Sequence, residues 1–400
     1  MTCPPGAVVA GHLCLDIIPD LNHLGHGQFE ALFRPGRLIQ VGAARFSTGG
    51  PVSNTGLALH RLGVPTRLIA KVGSDQFGQI VRDMVTRHDA CLAEGITVDP
   101  AATTSYSLII SPPGMDRFFL HCPGANDTFS CADVAYDLVQ QAALFHFGYP
   151  PIMRQMYADE GKQLVEVLRR AKATGATTSL DMTFPDPSSA GGKADWRAIY
   201  KAALPEVDLF LPSVEELLFT LRRSTFERLS TGGSLLDRVT AALLSDLSLE
   251  LLDMGVKIVV LKLGHRGIYL RTCGPDRMES LGRATPPGLR RWSGREMWAP
   301  CFQVDAVGTT GAGDATIAGF LAALLRGLAP EQAMTMAVAV GACSVEAADA
   351  LSGLRIWEAT AGRVAAGWPH RTLILQEPGW QWDAAAALWL GSAGHSVAKK

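Results

Sequence analysis

A glycine-rich turn leads directly into an apolar segment of helical character in GTTGAGDATIAGFLAALL, residues 308–325. Gly308, Gly311 and Gly313 have no Cβ atom, so the backbone can turn sharply here and approach a ligand closely. A helix that begins at such a turn directs unpaired N–H groups and the positive end of its dipole at the ligand. The stretch therefore predicts an anion-binding site at a helix N-terminus.

Asp314 occupies the first turn of this expected helix. A carboxylate suits a general base there, because it can take a proton from an attacking hydroxyl while nearby amides hold the developing negative charge. Ordinary compensation of the helix dipole is the alternative explanation. The stretch is not a P-loop, because the chain has no G-x-x-x-x-G-K-[ST]. It is not a dinucleotide fingerprint either, since that motif would need glycine in place of Thr316.

The composition is that of an ordinary globular protein. Its 400 residues, 48% of them hydrophobic, are enough for one large domain or two smaller ones. The net charge of −2 gives no sign of a nucleic-acid or anionic membrane partner. Eight scattered cysteines without a C-x-x-C pair favour reduced thiols. With no signal-peptide pattern and no run of 18 apolar residues, we expect a cytoplasmic protein.

Short apolar strands alternate with helical segments from residue 144 to residue 272. This alternation predicts an α/β fold with a mainly parallel sheet covered by helices on both faces. In such sheets, ligands bind beyond the carboxyl ends of the strands. Residues 7–18 are expected to form one buried strand, and residues 152–173 one helix.

Three segments fit the alternation less well. Residues 221–250 predict an extended helical insertion, and residues 276–298, rich in Gly, Pro and Arg, predict a long loop or irregular strands. Residues 366–400 contain several tryptophans and are too apolar for a disordered tail. We expect residues 366–390 to pack on the body or on a partner subunit, and the last few residues to be loose.

Two further motifs could hold a small polar ligand. Gly49 and Gly50 precede Asn54, which opens a helix; the turn would let backbone amides touch the ligand, and Asn54 offers both a donor and an acceptor to sugar hydroxyls. A tight turn with Asn54 as a helix cap is the alternative. Asp16 ends an apolar strand, where burial is costly unless partners such as polyol hydroxyls are present; exposure at the strand end is the alternative.

Two other strand ends suit a nucleotide. Ser213 and Glu216 follow one strand, and these residues either cap a helix or hold water-bound Mg²⁺ near the phosphates of a nucleotide. Gly264 and Gly267 flank the turn after another strand, which suits a tight β-turn or a phosphate or ribose site.

In their order and spacing, these motifs resemble those of the ribokinase-like (pfkB-type) carbohydrate kinases over about residues 7–356. Two long motifs agree in sequence and separation, so the resemblance is specific. The matching stretches are GHLCLD (11–16), GGPVSN (49–54), GSDQFG (73–78) and TTGAGD (309–314).

The resemblance implies a ribokinase-like three-layer sandwich with a mainly parallel central sheet. The kinase domain would cover residues 1–365, followed by a Trp-rich C-terminal extension over residues 366–400. A small β lid would come from about residues 17–47 and 103–123. Lids in this family often pair, so a homodimer through the lid is an open expectation.

The resemblance also implies transfer of the γ-phosphate of ATP to a hydroxymethyl group of a sugar or sugar-like substrate, with Mg²⁺. Asp314 would deprotonate the hydroxyl, and the amides of Gly311, Ala312 and Gly313 would form the anion hole. The other implied roles are sugar binding by Asp16, Gly49, Gly50 and Asn54, nucleotide binding by Ser213, Lys262, Gly264, Gly267, Thr309 and Gly341, and metal binding by Glu216.

The chain departs from the family pattern at two informative positions. Gly308 stands where the family usually has an aspartate that helps to form a monovalent-cation site, so we do not expect a conventional K⁺ site. Lys262 replaces a usual threonine, and its amine could reach a phosphate or lie at the surface.

Two alternative functions stay open at this point. A nucleoside kinase of the same family is one, because aromatic side chains of the expected lid could stack on a base as well as pack together. A non-catalytic sugar-binding sensor on the kinase fold is the other, although the presence of Asp314 argues against it. The aromatic lid residues are Tyr106, Phe118, Phe119 and His121.

Overall fold

A large, mainly parallel sheet forms the centre of the protein in this computed structural model, which describes residues 6–22, 35–36, 38–112 and 117–391. The strands, in spatial order, are β14 (Gln381–Asp383), β15 (Leu388–Leu390), β13 (Glu296–Ala299), β12 (Ile268–Thr272), β11 (Ile258–Lys262), β10 (Leu209–Phe210), β9 (Thr177–Leu180), β8 (Leu144–Gly148), β1 (Ala7–Gly11), β4 (Thr66–Gly73) and β5 (Gly95–Asp99). Pairing is parallel from β11 to β5 and antiparallel from β11 to β14, so the predicted sheet is confirmed.

A second, smaller sheet has the strand order β3 (Arg45–Gly49), β2 (Cys14–Ile18), β6 (Tyr106–Ile110) and β7 (Phe118–Cys122). Strands β6 and β7 lie within the expected lid region 103–123, whereas β2 begins before the expected region 17–47 and β3 ends just after it. Parts of those regions, residues 23–34, 37 and 113–116, lie outside the described residues, as do the termini 1–5 and 392–400.

The prediction of one strand over residues 7–18 was wrong, because β1 ends at Gly11 and β2 belongs to the other sheet. The chain bends at Leu13, whose backbone groups are bonded by a side chain instead of a neighbouring strand. The Asn126 amide accepts from the Leu13 N–H at 3.3 Å and donates to its carbonyl at 2.9 Å. The bend therefore leaves no unpaired backbone group at Leu13 and redirects the chain towards the small sheet.

Helices cover both faces of the large sheet. The chain moves one way along the sheet from β1 to β4 and the opposite way from β8 to β11, and right-handed crossovers then place the two sets of helices on opposite faces. The helices are α1 (Pro51–Arg61), α2 (Gln76–Thr86), α3 (Tyr136–Gln141), α4 (Arg154–Tyr157), α5 (Lys162–Ala173), α6 (Ala190–Lys193), α7 (Trp196–Ala203), α8 (Val214–Leu221), α9 (Arg223–Ser230), α10 (Ala241–Asp253), α11 (Pro275–Met278), α12 (Ala312–Leu325), α13 (Pro330–Ser344) and α14 (Trp357–Ala365).

The strand order reverses between the neighbouring strands β1 and β8. Such a reversal opens a crevice at the carboxyl ends of the two strands, where ligands bind in open α/β sheets. The residues that follow these ends are His12 and Tyr149, whose ring centroids lie 6.3 Å apart. The N-termini of α1 and α12 reach the same place, since Asn54 and Asp314 are hydrogen-bonded there.

The single helix expected over residues 152–173 is interrupted between α4 and α5. Asp159, Glu160 and Gly161 have φ angles of 48°, 56° and 76°, outside the right-handed helical region. Gly161 packs against α7, where an added Cβ would lie 2.8 Å from Ile199 Cγ2. The chain leaves the helical path at these three residues, in contact with α7, and α5 starts directly after them.

Two other segments also differ from expectation. Residues 221–250 contain two helices separated by a turn at Gly232, and the second, α10, is the crossover to β11 and packs on it. This half of the expected insertion therefore belongs to the α/β core. Residues 276–298 start in the short helix α11 and end in β13, a regular strand of the large sheet, so the prediction of a long loop or irregular strands holds only between these elements.

Residues 366–391, the described part of the C-terminal extension, pack against the body, as the tryptophans predict, and the last residues, expected to be loose, lie outside the described part. Strand β15 pairs with β13, with Trp389 opposite Trp298, and β14 completes a hairpin at the edge of the sheet. Trp368 is only 8% exposed. None of the helices within the described ranges is both long and apolar enough to cross a membrane.

Candidate active site

Asp314 lies buried at the start of α12, where three side-chain donors hold its carboxylate. Gly311 is the helix N-cap, with a φ of 68° that a larger residue rarely adopts. Asn54 Nδ2 and the Tyr149 hydroxyl donate to Asp314 Oδ2 at 2.9 and 3.0 Å, and Thr55 Oγ1 donates to Oδ1 at 3.3 Å. The structure thus joins two predicted site residues, Asn54 and Asp314, that are far apart in sequence.

Burial is the main cause that raises the pKa of Asp314, and the Asn54 bond, the Lys262 charge and the other donors work against it. A carboxylate offers about four acceptor positions, and the three bonds described here use only part of that capacity. A substrate hydroxyl can therefore still donate to Asp314. A raised pKa also makes the carboxylate a better proton acceptor at neutral pH.

Tyr149 is a site residue that sequence reasoning missed. Its φ of 65° is unusual for a residue other than glycine, and Pro150 follows it, which disfavours the right-handed helical alternative. This conformation directs the hydroxyl at Asp314. The sequence signal was the Tyr-Pro-Pro turn directly after a buried strand, but nothing in the sequence placed it beside α12.

Lys262 is buried beside the expected anion hole, so the surface position that the sequence allowed is wrong. A Cβ added to Gly313 would lie 3.7 Å from Lys262 Nζ. The amine donates to Asp181 Oδ1 at 2.6 Å. Burial lowers the pKa of Lys262, but the charges of Asp181 and its neighbours outweigh this effect and raise it, so the amine stays charged.

Of the three amides expected in the anion hole, that of Ala312 donates to the Thr309 carbonyl at 3.3 Å. This bond is long, and a bound anion could replace it or share the donor. The hydroxyl of Thr309 accepts from Arg117 Nη2 at 3.0 Å, which connects the start of β7 to the turn before α12.

The carboxyl groups of Asp181, Glu216 and Asp314 surround Lys262; Asp181 and Asp314 are buried, and Glu216 is half-buried. Burial raises the pKa of Asp181 and Glu216, and repulsion from the neighbouring carboxylates adds to the effect. Asp181 Oδ2 is buried without a hydrogen-bond partner. A cation bound near these carboxyl groups would favour their ionised forms and lower their pKa values.

Glu216 also takes part in the N-terminal capping of α8, so the alternative role of this motif as a helix cap is confirmed as well. Ser213 N–H donates to Glu216 Oε2 at 2.7 Å, and Glu216 N–H donates to Ser213 Oγ at 3.2 Å. Within the described ranges, no group of three or more His, Cys, Asp and Glu could hold a metal by itself. Mg²⁺ is commonly bound by one or two carboxylates together with substrate phosphates and water, and Glu216 fits that mode.

A cavity of about 480 Å³ extends from Asp314, and its size is within the usual range for small-molecule sites. All residues predicted to bind the nucleotide or its metal line it, namely Ser213, Glu216, Lys262, Gly264, Gly267, Thr309 and Gly341. Its apolar lining includes Ile268, Phe302, Val304, Val338, Ala342 and Val345.

Asp16, Gly49 and Gly50 are absent from the lining of that cavity, as is Asn54; Asp16 and Gly49 belong to the paired strands β2 and β3 of the small sheet. Asp16 is 8% exposed, and an added Cβ on Gly49 would lie 2.4 Å from Asp16 Oδ2. Burial raises the pKa of Asp16 to about 6, despite hydrogen bonds from Cys14 and Ser107. Gly50, the N-cap of α1, has a φ of 88°. Exposure of Asp16 at the strand end is therefore excluded.

Two histidines connect the small sheet to this region, and sequence reasoning assigned neither of them a role beside Asp16. His12 Nε2 and His121 Nε2 are 3.3 Å apart, and His121 Nδ1 bonds Ser107 Oγ at 3.0 Å. Burial lowers the pKa of both histidines, which keeps them neutral. His12 directly follows Gly11 of the first motif, and that position was the available signal.

The chain matches the profile of the pfkB family carbohydrate kinases over residues 7–356. One similar relative is named probable fructokinase-6, chloroplastic, from Arabidopsis thaliana. The two are 24% identical over 367 residues, which cover 89% of this chain and 81% of that protein.

Two solved structures share the fold over nearly their whole length. Arabidopsis thaliana ribokinase complexed with ribose and ATP has a TM-score of 0.67 at 18% identity, covering 90% of this chain and 98% of that one. A putative ribokinase II from E. coli in complex with ATP and Mg²⁺ has a TM-score of 0.65 at 19% identity, covering 90% and 99%. These similarities confirm the predicted ribokinase-like fold.

Proposed function

The chain belongs to the pfkB family of carbohydrate kinases, and from this membership we propose that it transfers the γ-phosphate of ATP to a hydroxymethyl group of a sugar or sugar-like acceptor. One observation carries the proposal. The buried carboxylate of Asp314 lies at a helix N-terminus, at the end of a cavity large enough for a nucleotide.

Asp314 is proposed as the general base. The acceptor hydroxyl donates to a remaining lone pair of Asp314, which takes the proton as the hydroxyl oxygen forms a bond to the γ-phosphorus. The bond between this phosphorus and the bridging oxygen breaks, and ADP leaves with that oxygen. The amides of Gly311, Ala312 and Gly313 hold the negative charge on the transferred group. The charged amine of Lys262, beside Gly313, contributes to the same stabilisation.

The nucleotide would lie in the 480 Å³ cavity, with its phosphates towards Lys262 and the turn before α12. Ser213, Gly264, Gly267, Thr309 and Gly341 are proposed to line it, and Glu216 to hold Mg²⁺. When bound, Mg²⁺ neutralises charge on the phosphates. Both similar structures described above are complexes with ATP, and the one from E. coli also contains Mg²⁺.

Asp16, Gly49, Gly50 and Asn54 are proposed to hold the acceptor. With a pKa of about 6, Asp16 is mostly ionised at pH 7 and can accept hydrogen bonds from two hydroxyls. The small sheet would close over the acceptor as a lid and exclude water.

A nucleoside acceptor is the second candidate, and one observation favours it. Phe119 is 55% exposed and lies on the same face of β7 as His121, which reaches the acceptor region. An exposed aromatic ring there could stack on a base.

Two further expectations remain proposals. Phe46 and Leu120 of the small sheet are 50% and 56% exposed, which supports a homodimer through this sheet. A cytoplasmic location stays a prediction, because the name of one relative places that protein in the chloroplast.

ADP release from Mg·ATP with a panel of sugars, sugar acids and nucleosides tests the proposal. We expect turnover on one class, and Asp314→Asn should lower kcat by orders of magnitude while ATP still binds. Asp305→Asn, an exposed carboxylate in the preceding loop, is the matched control. If Asp314→Asn retains turnover within about tenfold of the parent, the base assignment is wrong. Binding without any turnover would favour the sensor.

A further inference from the structure

A short segment of the C-terminal extension, residues 368–371, lies antiparallel to residues 301–303. We call it the wall segment. Gln303 N–H donates to the Pro369 carbonyl at 2.8 Å, and Arg371 N–H donates to the Cys301 carbonyl at 2.7 Å. Trp368 Nε1 donates to the Gln303 carbonyl at 2.8 Å. Backbone and side-chain bonds therefore hold the wall segment in a fixed register.

The wall segment also fixes the position of Phe302, which lines the 480 Å³ cavity. The Phe302 ring stacks on Trp368 at 4.5 Å and on His370 at 4.1 Å between centroids, with interplanar angles of 19° and 28°. Since both partners come from the extension, this part of the cavity lining depends on residues beyond position 356, where the family match ends.

Arg371 of the wall segment lines the same cavity directly and is also exposed to solvent. Burial raises the pKa of the Cys301 thiol to about 11, and the charge of Arg371 opposes this shift. Cys301 Sγ in turn donates to the Gly264 carbonyl at 3.2 Å. Arg371 therefore lies close to the Gly264–Gly267 turn and near Phe302, the neighbour of Cys301 in the apolar lining.

We infer that the wall segment completes the nucleotide site, and that the guanidinium of Arg371 stacks on the nucleotide base. The inference rests on the proposed function, which puts the transferred phosphate at Asp314 and so leaves the apolar part of the cavity to the base. A planar guanidinium stacks on aromatic rings, and the valines and Phe302 nearby offer the apolar surface that a base requires.

The test compares the parent with Arg371→Ala and Arg371→Lys, and uses Arg290→Ala as a control. Arg290 is an exposed arginine that does not line the cavity. Dissociation constants for ATP and for inorganic tripolyphosphate are measured by calorimetry without acceptor. We expect Arg371→Ala to weaken ATP binding about tenfold. Arg371→Lys should lose most of the same affinity because it lacks the plane, and Arg290→Ala should lose none.

Tripolyphosphate has the phosphates without the base, so its binding should be unchanged in both Arg371 variants. An equal loss for tripolyphosphate would overturn the stacking on the base, and an unchanged ATP affinity in Arg371→Ala would overturn the inference as a whole. A parent protein that binds no ATP would overturn the proposed function and this inference together. Melting temperatures equal to that of the parent show that the variants are folded.

Discussion

The hydrogen bond from Tyr149 to Asp314 concerns two side chains only, and its removal tests how the base is positioned. Tyr149→Phe should lower kcat about tenfold and leave the dissociation constant for ATP nearly unchanged. This bond lowers the pKa of Asp314, so its loss raises that pKa. The acidic limb of the kcat–pH profile should therefore move to higher pH. Tyr157→Phe, outside the site, is the control, and an unmoved limb in Tyr149→Phe would contradict the positioning role.

Gly308 gives a second prediction for a single position. An added Cβ would lie 2.9 Å from the Ala347 carbonyl oxygen and from Ala348 Cα, so no side chain fits there without movement. We therefore expect turnover to be the same in K⁺ and in a large organic cation at equal ionic strength. ADP release in the two salts measures this, and strong stimulation by K⁺ would show that other atoms form a cation site.

The roles of single residues could be predicted where those residues belong to a short sequence motif. Asp314 and the glycines before it stand together in the sequence, so their combination could be recognised. The roles of Tyr149 and Asp181 could not be predicted, because they depend on tertiary contacts. Tyr149, after β8, contacts α12, and Asp181, after β9, contacts β11. Lys262 was ambiguous for the same reason, since its burial depends on such contacts.

The contact of β3 with β2 provides the prediction at the scale of elements. Gly49 of β3 faces Asp16 of β2 so closely that Gly49→Ala would push a methyl group into the carboxylate. We expect a higher KM for the acceptor, by about tenfold, with little change in the KM for ATP. Steady-state kinetics with each substrate varied in turn measures the difference.

Gly362→Ala is the matched control, because nothing lies within 4 Å of a Cβ at that position. An unchanged acceptor KM in Gly49→Ala would show that Asp16 does not hold the acceptor. A rise in both KM values would instead indicate a general distortion of the small sheet.

Elements were predictable where hydrophobic periodicity is strong, as for the strands from β8 to β12 and for α12. The bend at Leu13 was not, because one distant side chain, Asn126, supplies the hydrogen bonds that end the strand. The break before α5 was missed as well, since the close approach of Gly161 to α7 is a tertiary contact that the helical pattern does not reveal.

The extension contributes to the stability of the whole molecule. Trp368 is 8% exposed, stacks on Phe302 and donates its N–H, so Trp368→Ala should lower the free energy of unfolding by about 3 kcal/mol. Trp382→Ala, at a position 45% exposed, should cost much less. Urea unfolding measures both losses, and equal losses would show that the buried Trp368 contributes no more to stability than the exposed Trp382.

The overall architecture followed from the alternation of strands and helices, and the resemblance covered the chain only to about residue 356. The added strands β14 and β15 were beyond both arguments. Their short, Trp-rich pattern indicates that they pack but not against which element. The structure shows that β15 pairs with the otherwise open edge of β13.

The wall segment lies near the C-terminal end of the chain, so it is synthesised after the proposed base and acceptor residues. The ribosome makes Asp16, Asn54, Lys262 and Asp314 before it reaches Trp368, so a nascent or trimmed chain that ends after α14 has its proposed base and acceptor residues but not the rings that hold Phe302. Such a chain would keep the residues proposed to bind the acceptor but would lack part of the proposed nucleotide site. Proteolysis at the exposed turn around Gly367 would then act as an irreversible adjustment of nucleotide use, without touching the residues that carry the chemistry.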